Sequence, residues 1–166
     1  MPRSVQIVYI GLVVFQLVFA VFLVTPSFIL DMRARYSPDQ QTAKLDLPRA
    51  ARLRVNSEDA RNYEKVIELV KSHAAGEYIY AGPDCPEVYF LSGKKNPTRD
   101  LFDFLNSDAD HDAHILQVIG EHDVHVVVIS HDRTFSKGLS EKSLTILARD
   151  FPKAEKAGRL EVRWRE

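Results

Sequence analysis

Any chemistry this chain performs has to come from a handful of polar strings. Asp84 and Glu87 follow an apolar run that ends at Gly82. A carboxylate pair placed there could accept hydrogen bonds from a hydroxyl-rich ligand. The same two residues also suit a helix start, with Asp84 as its cap and Glu87 in a first turn where the helix dipole favours negative charge. Lys94, Lys95 and Arg99 could clamp a phosphate, Arg99 through two parallel hydrogen bonds, or could stand as solvated charges near lipid headgroups or helix ends. Asp108, Asp110, His111, Asp112 and His114 combine oxygen and imidazole donors of the kind that bind metal. Consecutive residues at a loop-to-helix junction cannot all face one ion, so these acids are read as caps and no metal is expected. His131 and Asp132 form an acid–base pair by type, yet sequence neighbours seldom face each other. Cys85 lies near a helix start, where a thiolate is favoured, and is read instead as a small buried filler.

Some chemistries are excluded outright. There is no nucleophile elbow, no phosphate loop and no dinucleotide-binding glycine motif. A single cysteine allows neither an intramolecular disulfide nor a zinc-ligand cluster. With 22 basic and 23 acidic residues the formal net charge is -1, so no polycationic surface exists to capture nucleic acid. Asn96-Pro97-Thr98 is not a glycosylation sequon, because proline occupies its middle position; it is read as a turn capping the helix that contains Leu101. Tyr78, Tyr80, Tyr89, Phe90, Phe102 and Phe104 could stack on sugar rings, but large aromatic residues serve first as core.

The elements that must position these residues can be read from periodicity and caps. Arg52–Val55 suits a short strand. Asn56 or Ser57 caps a helix with Glu58 and Asp59 in its first turn and Tyr63, Val66, Ile67 and Val70 at helical spacing. Tyr78–Gly82 is a buried strand. Pro86 then opens a short helix and Gly93 stops it. Lys94–Arg99 is a polar turn, and Leu101–Leu105 a short helix or aromatic plug. Asp112–Glu121 is helical, His125–Ile129 is the clearest central strand, and Ser140 opens an amphipathic helix through Leu144, Leu147 and Phe151. Leu160–Trp164 alternates as a half-exposed strand. This rhythm predicts a three-layer, mainly parallel (Rossmann-like) α/β domain. In such sheets ligands sit beyond the carboxyl ends of the strands, which here lead into Pro83–Arg99 and Ser130–Gly138.

The amino terminus is different in character. Val5–Val24 carries no charge, and Gln16 is its only strongly polar side chain. That length suits a helix crossing roughly 30 Å of hydrocarbon, and its apolar core is long for a cleaved signal peptide. The expectation is therefore a single-pass anchor over residues 1–29, a connector over 30–50 and a water-facing α/β domain over 51–166, with the lipid bilayer as partner. Arg33, Arg35 and Lys44 against Arg3 lean toward a cytoplasmic domain by the positive-inside rule.

The string Ala81-Gly-Pro-Asp-Cys-Pro-Glu-Val-Tyr-Phe-Leu-Ser-Gly93 is followed by Asn96-Pro-Thr-Arg99, Leu101-Phe-Asp-Phe104 and the closing Glu161-Val-Arg-Trp-Arg165. Together they resemble the C-terminal region of bacterial GT-C type membrane glycosyltransferases of the dolichyl-phosphate-mannose-protein mannosyltransferase-like group. The resemblance covers roughly Pro48 to Glu166. It implies the tail domain of an enzyme that takes sugar from a polyprenyl-phosphate carrier on the extracytoplasmic side of the bacterial inner membrane. It also implies a polytopic glycosyltransferase partner, since the catalytic acid of that family lies in an early loop with no counterpart here. A periplasmic placement follows from the resemblance and is preferred to the charge lean. Candidate ligand-binding residues are Asp84, Glu87, Tyr89, Asn96, Thr98 and Arg99; no catalytic residue, metal or cofactor is assigned. A stand-alone anchored binding or accessory module, and a small hydrolase using Asp84, Glu87 or His131, are the competing readings.

Overall fold

The computed structural model describes residues 12–16, 19, 43–102, 110–132, 134 and 136–166. The chain divides into two compact units, Met1–Thr42 and Ala43–Glu166. In the first, residues 12–16 and 19 are helical, with Leu12, Phe15 and Phe19 exposed. Among the described residues no helix is long and apolar enough to cross a membrane. This corrects the expected single-pass anchor. The rest of the apolar run lies outside the described residues.

The second unit is an α/β fold. A small hairpin pairs β1 (Ala43–Lys44) with β2 (Arg54–Val55). Then follow α1 (Ser57–His73), β3 (Tyr80–Gly82), α2 (Pro86–Ser92), α3 (His111–Glu121), β4 (Val126–Ser130), α4 (Glu141–Asp150), β5 (Lys153–Ala157) and β6 (Leu160–Trp164). The unit starts earlier than the sequence suggests: Leu45 and Ala50, read as connector, are buried in its core.

The main sheet has the order β3-β4-β6-β5. Only β3 and β4 are parallel, with Ala81 opposite Val128; β4–β6 and β5–β6 are antiparallel. The mainly parallel, Rossmann-like sheet is thus corrected to a mixed one. The cause is a hairpin for which the sequence reading has no element: Ala157 pairs with Leu160 across Gly158-Arg159, which reverses β6. β5 is the sheet edge, and its charged residues suit that place because they discourage pairing with another chain. β6 is consequently interior, so Leu160, Glu161 and Val162 are all buried rather than alternating.

β4 is buried on both faces, and the two-residue period of the strand divides its side chains between two cores. Val126 and Val128 join Val66, Ile67 and Val70 of α1 and Val88 of α2. Val127 and Ile129 join Ile115 and Ile119 of α3, Leu147 of α4 and Phe151 just after it. Local signals explain the helix ends. The Asn56 side chain accepts a hydrogen bond from the Asp59 amide at 2.7 Å, Pro86 opens α2, and Gly93 closes it at φ 74°, where a side chain would be strained.

Candidate functional site

The loops that leave the carboxyl ends of β3 and β4 meet the β5–β6 hairpin. Gly158 holds that hairpin against α1: its φ is +58°, and a Cβ there would lie 2.4 Å from Asn62 Nδ2. The close approach sets Arg159 over the strand ends. Arg159 Nη2 donates to Glu87 Oε1 at 2.9 Å and to the Tyr63 hydroxyl at 3.0 Å, while Nη1 donates to Asp132 Oδ2 at 3.1 Å. Tyr63 in turn donates to Glu87 Oε1 at 3.2 Å. Asp132 also accepts from the Thr134 amide at 2.9 Å. One guanidinium therefore ties α1, α2 and the loop after β4 to the hairpin.

The electrostatics follow from this geometry. Burial, then the Glu87 carboxylate, pushes the Tyr63 phenol up to about 12, so it stays protonated and donates at neutral pH. Burial works against the Arg159 charge, but Tyr63, Glu87 and Asp132 more than offset it and raise its pKa. The Thr134 hydrogen bond, outweighing desolvation, and then Arg159 hold Asp132 below the ordinary carboxylate range. Arg159 already engages Glu87 Oε1 and Asp132 Oδ2. The cluster is built as a clasp.

The remaining candidates fall in three places. Asp84 lies at the strand end with φ 52°, after the cis Gly82–Pro83 bond. Tyr89 is 8% exposed, and its hydroxyl accepts from the Ala81 amide at 2.7 Å and donates to Asn96 Oδ1 at 3.1 Å. Asn96 Oδ1 also accepts from the Thr98 amide at 3.0 Å, and Asn96 Nδ2 donates to the Asp100 carbonyl at 2.8 Å. Tyr89, Asn96 and Thr98 are thus brought together, as an internal brace of the turn. Lys94 donates to the Ala74 and Gly76 carbonyls beyond the end of α1, Lys95 pairs with Glu77 at 2.7 Å, and Arg99 is exposed. Lys94 and Lys95 are thus both engaged with the 74–77 segment after α1.

Of the metal-like string, Asp108 lies outside the described residues. Asp112 Oδ2 accepts from the Ser140 amide and the Ser143 hydroxyl, both at 2.8 Å, which fastens α3 to the start of α4. His114 is exposed, and among the described residues no three His, Cys, Asp or Glu side chains could hold a metal ion. Cys85 is buried, with its thiol 3.4 Å from the Pro83 carbonyl. His131 and Asp132 part company: Asp132 meets Arg159, and His131 Nε2 lies 2.8 Å from Glu161 Oε2. Phe104 lies outside the described residues; Phe90 and Phe102 are exposed.

Tyr63, Arg159, Glu161 and Arg163 are the residues that sequence reasoning missed. The one available signal was Gly158-Arg159 between two alternating runs, which is a hairpin pattern.

Burial opposes the charges of both Glu161 and Asp112, yet both carboxyls are held below their ordinary values. Glu161 owes this to the His131 hydrogen bond and Arg163, and Asp112 to Ser140 and Ser143. Each group is more acidic in the folded chain. Its stabilisation is therefore present above the unfolded carboxylate range of roughly 3.9–4.3 and is lost as pH falls through the lower folded value. Urea unfolding midpoints are expected to hold steady from about pH 7 to 5 and to drop below about pH 4. A Glu161→Gln variant should be less stable than the parent at neutral pH, with the gap closing as pH falls. A gap that widens in acid would refute the assignment.

No family model, curated protein or solved structure matches the chain.

Proposed function

We propose that the Ala43–Glu166 unit is an accessory α/β module of a polyprenyl-phosphate-sugar-dependent membrane glycosyltransferase. In this reading it works on the extracytoplasmic side of a bacterial inner membrane and supplies no catalytic group of its own. The supporting observation is what the resembling string does. Between Ala81 and Asp100 the polar side chains Tyr89, Asn96 and Thr98 bond to one another and to the backbone around the β3 end. Glu87, in the same stretch, accepts from Arg159. Such a string specifies a rigid shape, and a rigid shape is what a positioning or assembly module needs.

A transfer assay tests this. The purified full chain, given a polyprenyl-phosphate mannose donor and a peptide acceptor, should transfer no sugar. Membranes lacking the chain should lose transfer, and adding back the chain should restore it. Transfer by the chain alone, or unchanged transfer in its absence, would overturn the reading.

A further inference from the structure

The β1–β2 hairpin concentrates positive charge. Residues 43–55 carry four basic side chains, Lys44, Arg49, Arg52 and Arg54, against the single acid Asp46. Residues 56–166 run the other way, with 15 basic and 20 acidic side chains. Lys44 stands directly opposite Arg54 in the antiparallel register, and both are exposed. Like charges facing each other across two strands weaken the pairing. Among the described residues Lys44, Arg52 and Arg54 form no ion pair that would relieve this. Arg49 differs, since its guanidinium lies against Gly93 at the end of α2. The hairpin is held by other means. Leu45 and Ala50 anchor it in the core, and the Leu45 amide donates to the Leu53 carbonyl at 3.1 Å.

What the turn exposes is chemically narrow. Pro48, Arg49, Ala51, Arg52, Leu53 and Arg54 are all exposed, so its side chains are guanidinium groups and apolar groups alone. Leu53, 48% exposed, sits between two of the arginines. Arginine meets phosphate through parallel hydrogen bonds, and an apolar residue beside it can enter the boundary between lipid headgroups and acyl chains. A nucleic acid matches less well. Residues 43–55 have no aromatic side chain to stack on a base, and phosphates and sugars give Leu53 nothing to pack on.

We propose that the β1–β2 hairpin docks on an anionic phospholipid surface, with Lys44, Arg52 and Arg54 on the headgroup phosphates and Leu53 at the acyl boundary. This contact does not rest on the accessory role proposed above.

Flotation of the full chain with two kinds of vesicle tests it, one of phosphatidylcholine and one of equal parts phosphatidylcholine and phosphatidylglycerol. Comparing two headgroups with the same chain cancels any contribution common to both. The anionic vesicles should bind about a hundredfold more tightly, and each cation removed should weaken that preference about fivefold. The triple variant Lys44→Gln, Arg52→Gln, Arg54→Gln should therefore abolish it. Raising the salt from about 0.1 M to about 1 M, which shortens the screening length from about 10 Å to 3 Å, should do the same. Leu53→Asn should weaken binding to the anionic vesicles about tenfold. In the absence of lipid the triple variant should melt no lower than the parent, because it removes a like-charge pair. Equal affinity for the two vesicles, a preference that survives the triple variant, or unchanged binding by Leu53→Asn would each overturn the proposal. So would a triple variant that melts lower, or duplex DNA bound as tightly as the anionic vesicles.

Discussion

Phe151→Ala is expected to lower the stability of the Ala43–Glu166 unit by about 3–5 kcal/mol, the range for removing a large aromatic side chain from a packed core. Phe151 is 1% exposed and belongs to the core that joins α3 and α4 to the sheet. It stands where α4 ends and β5 begins, so it fixes how the edge hairpin leaves the helix. The Arg165 guanidinium lies 5.3 Å from its ring centroid, and Arg163 Nη1 donates to its carbonyl at 3.3 Å. Truncation removes the ring contacts and leaves a void beside Leu147. For a domain of this size the loss corresponds to a fall in Tm of roughly 12–20 °C. Calorimetry of the variant checks this, and a shift under about 4 °C would mean that the ring is not the keystone of this core.

Tyr89→Phe is expected to cost about 1–3 kcal/mol, although it removes a single oxygen. That oxygen accepts from the Ala81 amide, and Ala81 is buried in β3, the short strand at the other sheet edge. Phenylalanine keeps the ring in place and so keeps water away from an amide that has lost its acceptor. The same change frees Asn96 Oδ1 from one of its donors and loosens the turn it organises. Hydrogen exchange should therefore quicken at Ala81 and Thr98 well beyond the change at Val128 in central β4. A uniform change across all three would place the effect in global stability rather than in this brace.

Much of the fold was legible because its signals are local. Asn56 with the following acids, Pro86 and Gly93 mark helix ends by rules acting within one turn, and the valine-rich run of β4 marks a strand buried on both faces. The β5–β6 hairpin was not legible, since Lys-Ala-Glu-Lys-Ala has the charges of a loop and becomes a strand only by pairing at an edge. That one omission turned a mixed sheet into a parallel one and made Glu161 look half-exposed. The clasp was hidden for a related reason. Glu87 and Tyr63 lie 72 and 96 positions before Arg159, and no spacing rule reaches so far. Glu87 itself was flagged, but its partner was out of view. At the amino terminus, length and hydropathy alone suggested a membrane span. Among the described residues no helix is long and apolar enough to be one.

The accessory role is tested most directly by co-purification of the tagged full chain from native membranes in mild detergent, with mass spectrometry of what comes down. A polytopic protein with an acidic residue in an early extracytoplasmic loop is the expected partner, present in stoichiometric amount and lost when Tyr89→Phe loosens the turn. Recovery of the chain by itself, from membranes that still transfer sugar from a polyprenyl-phosphate donor, would contradict the account.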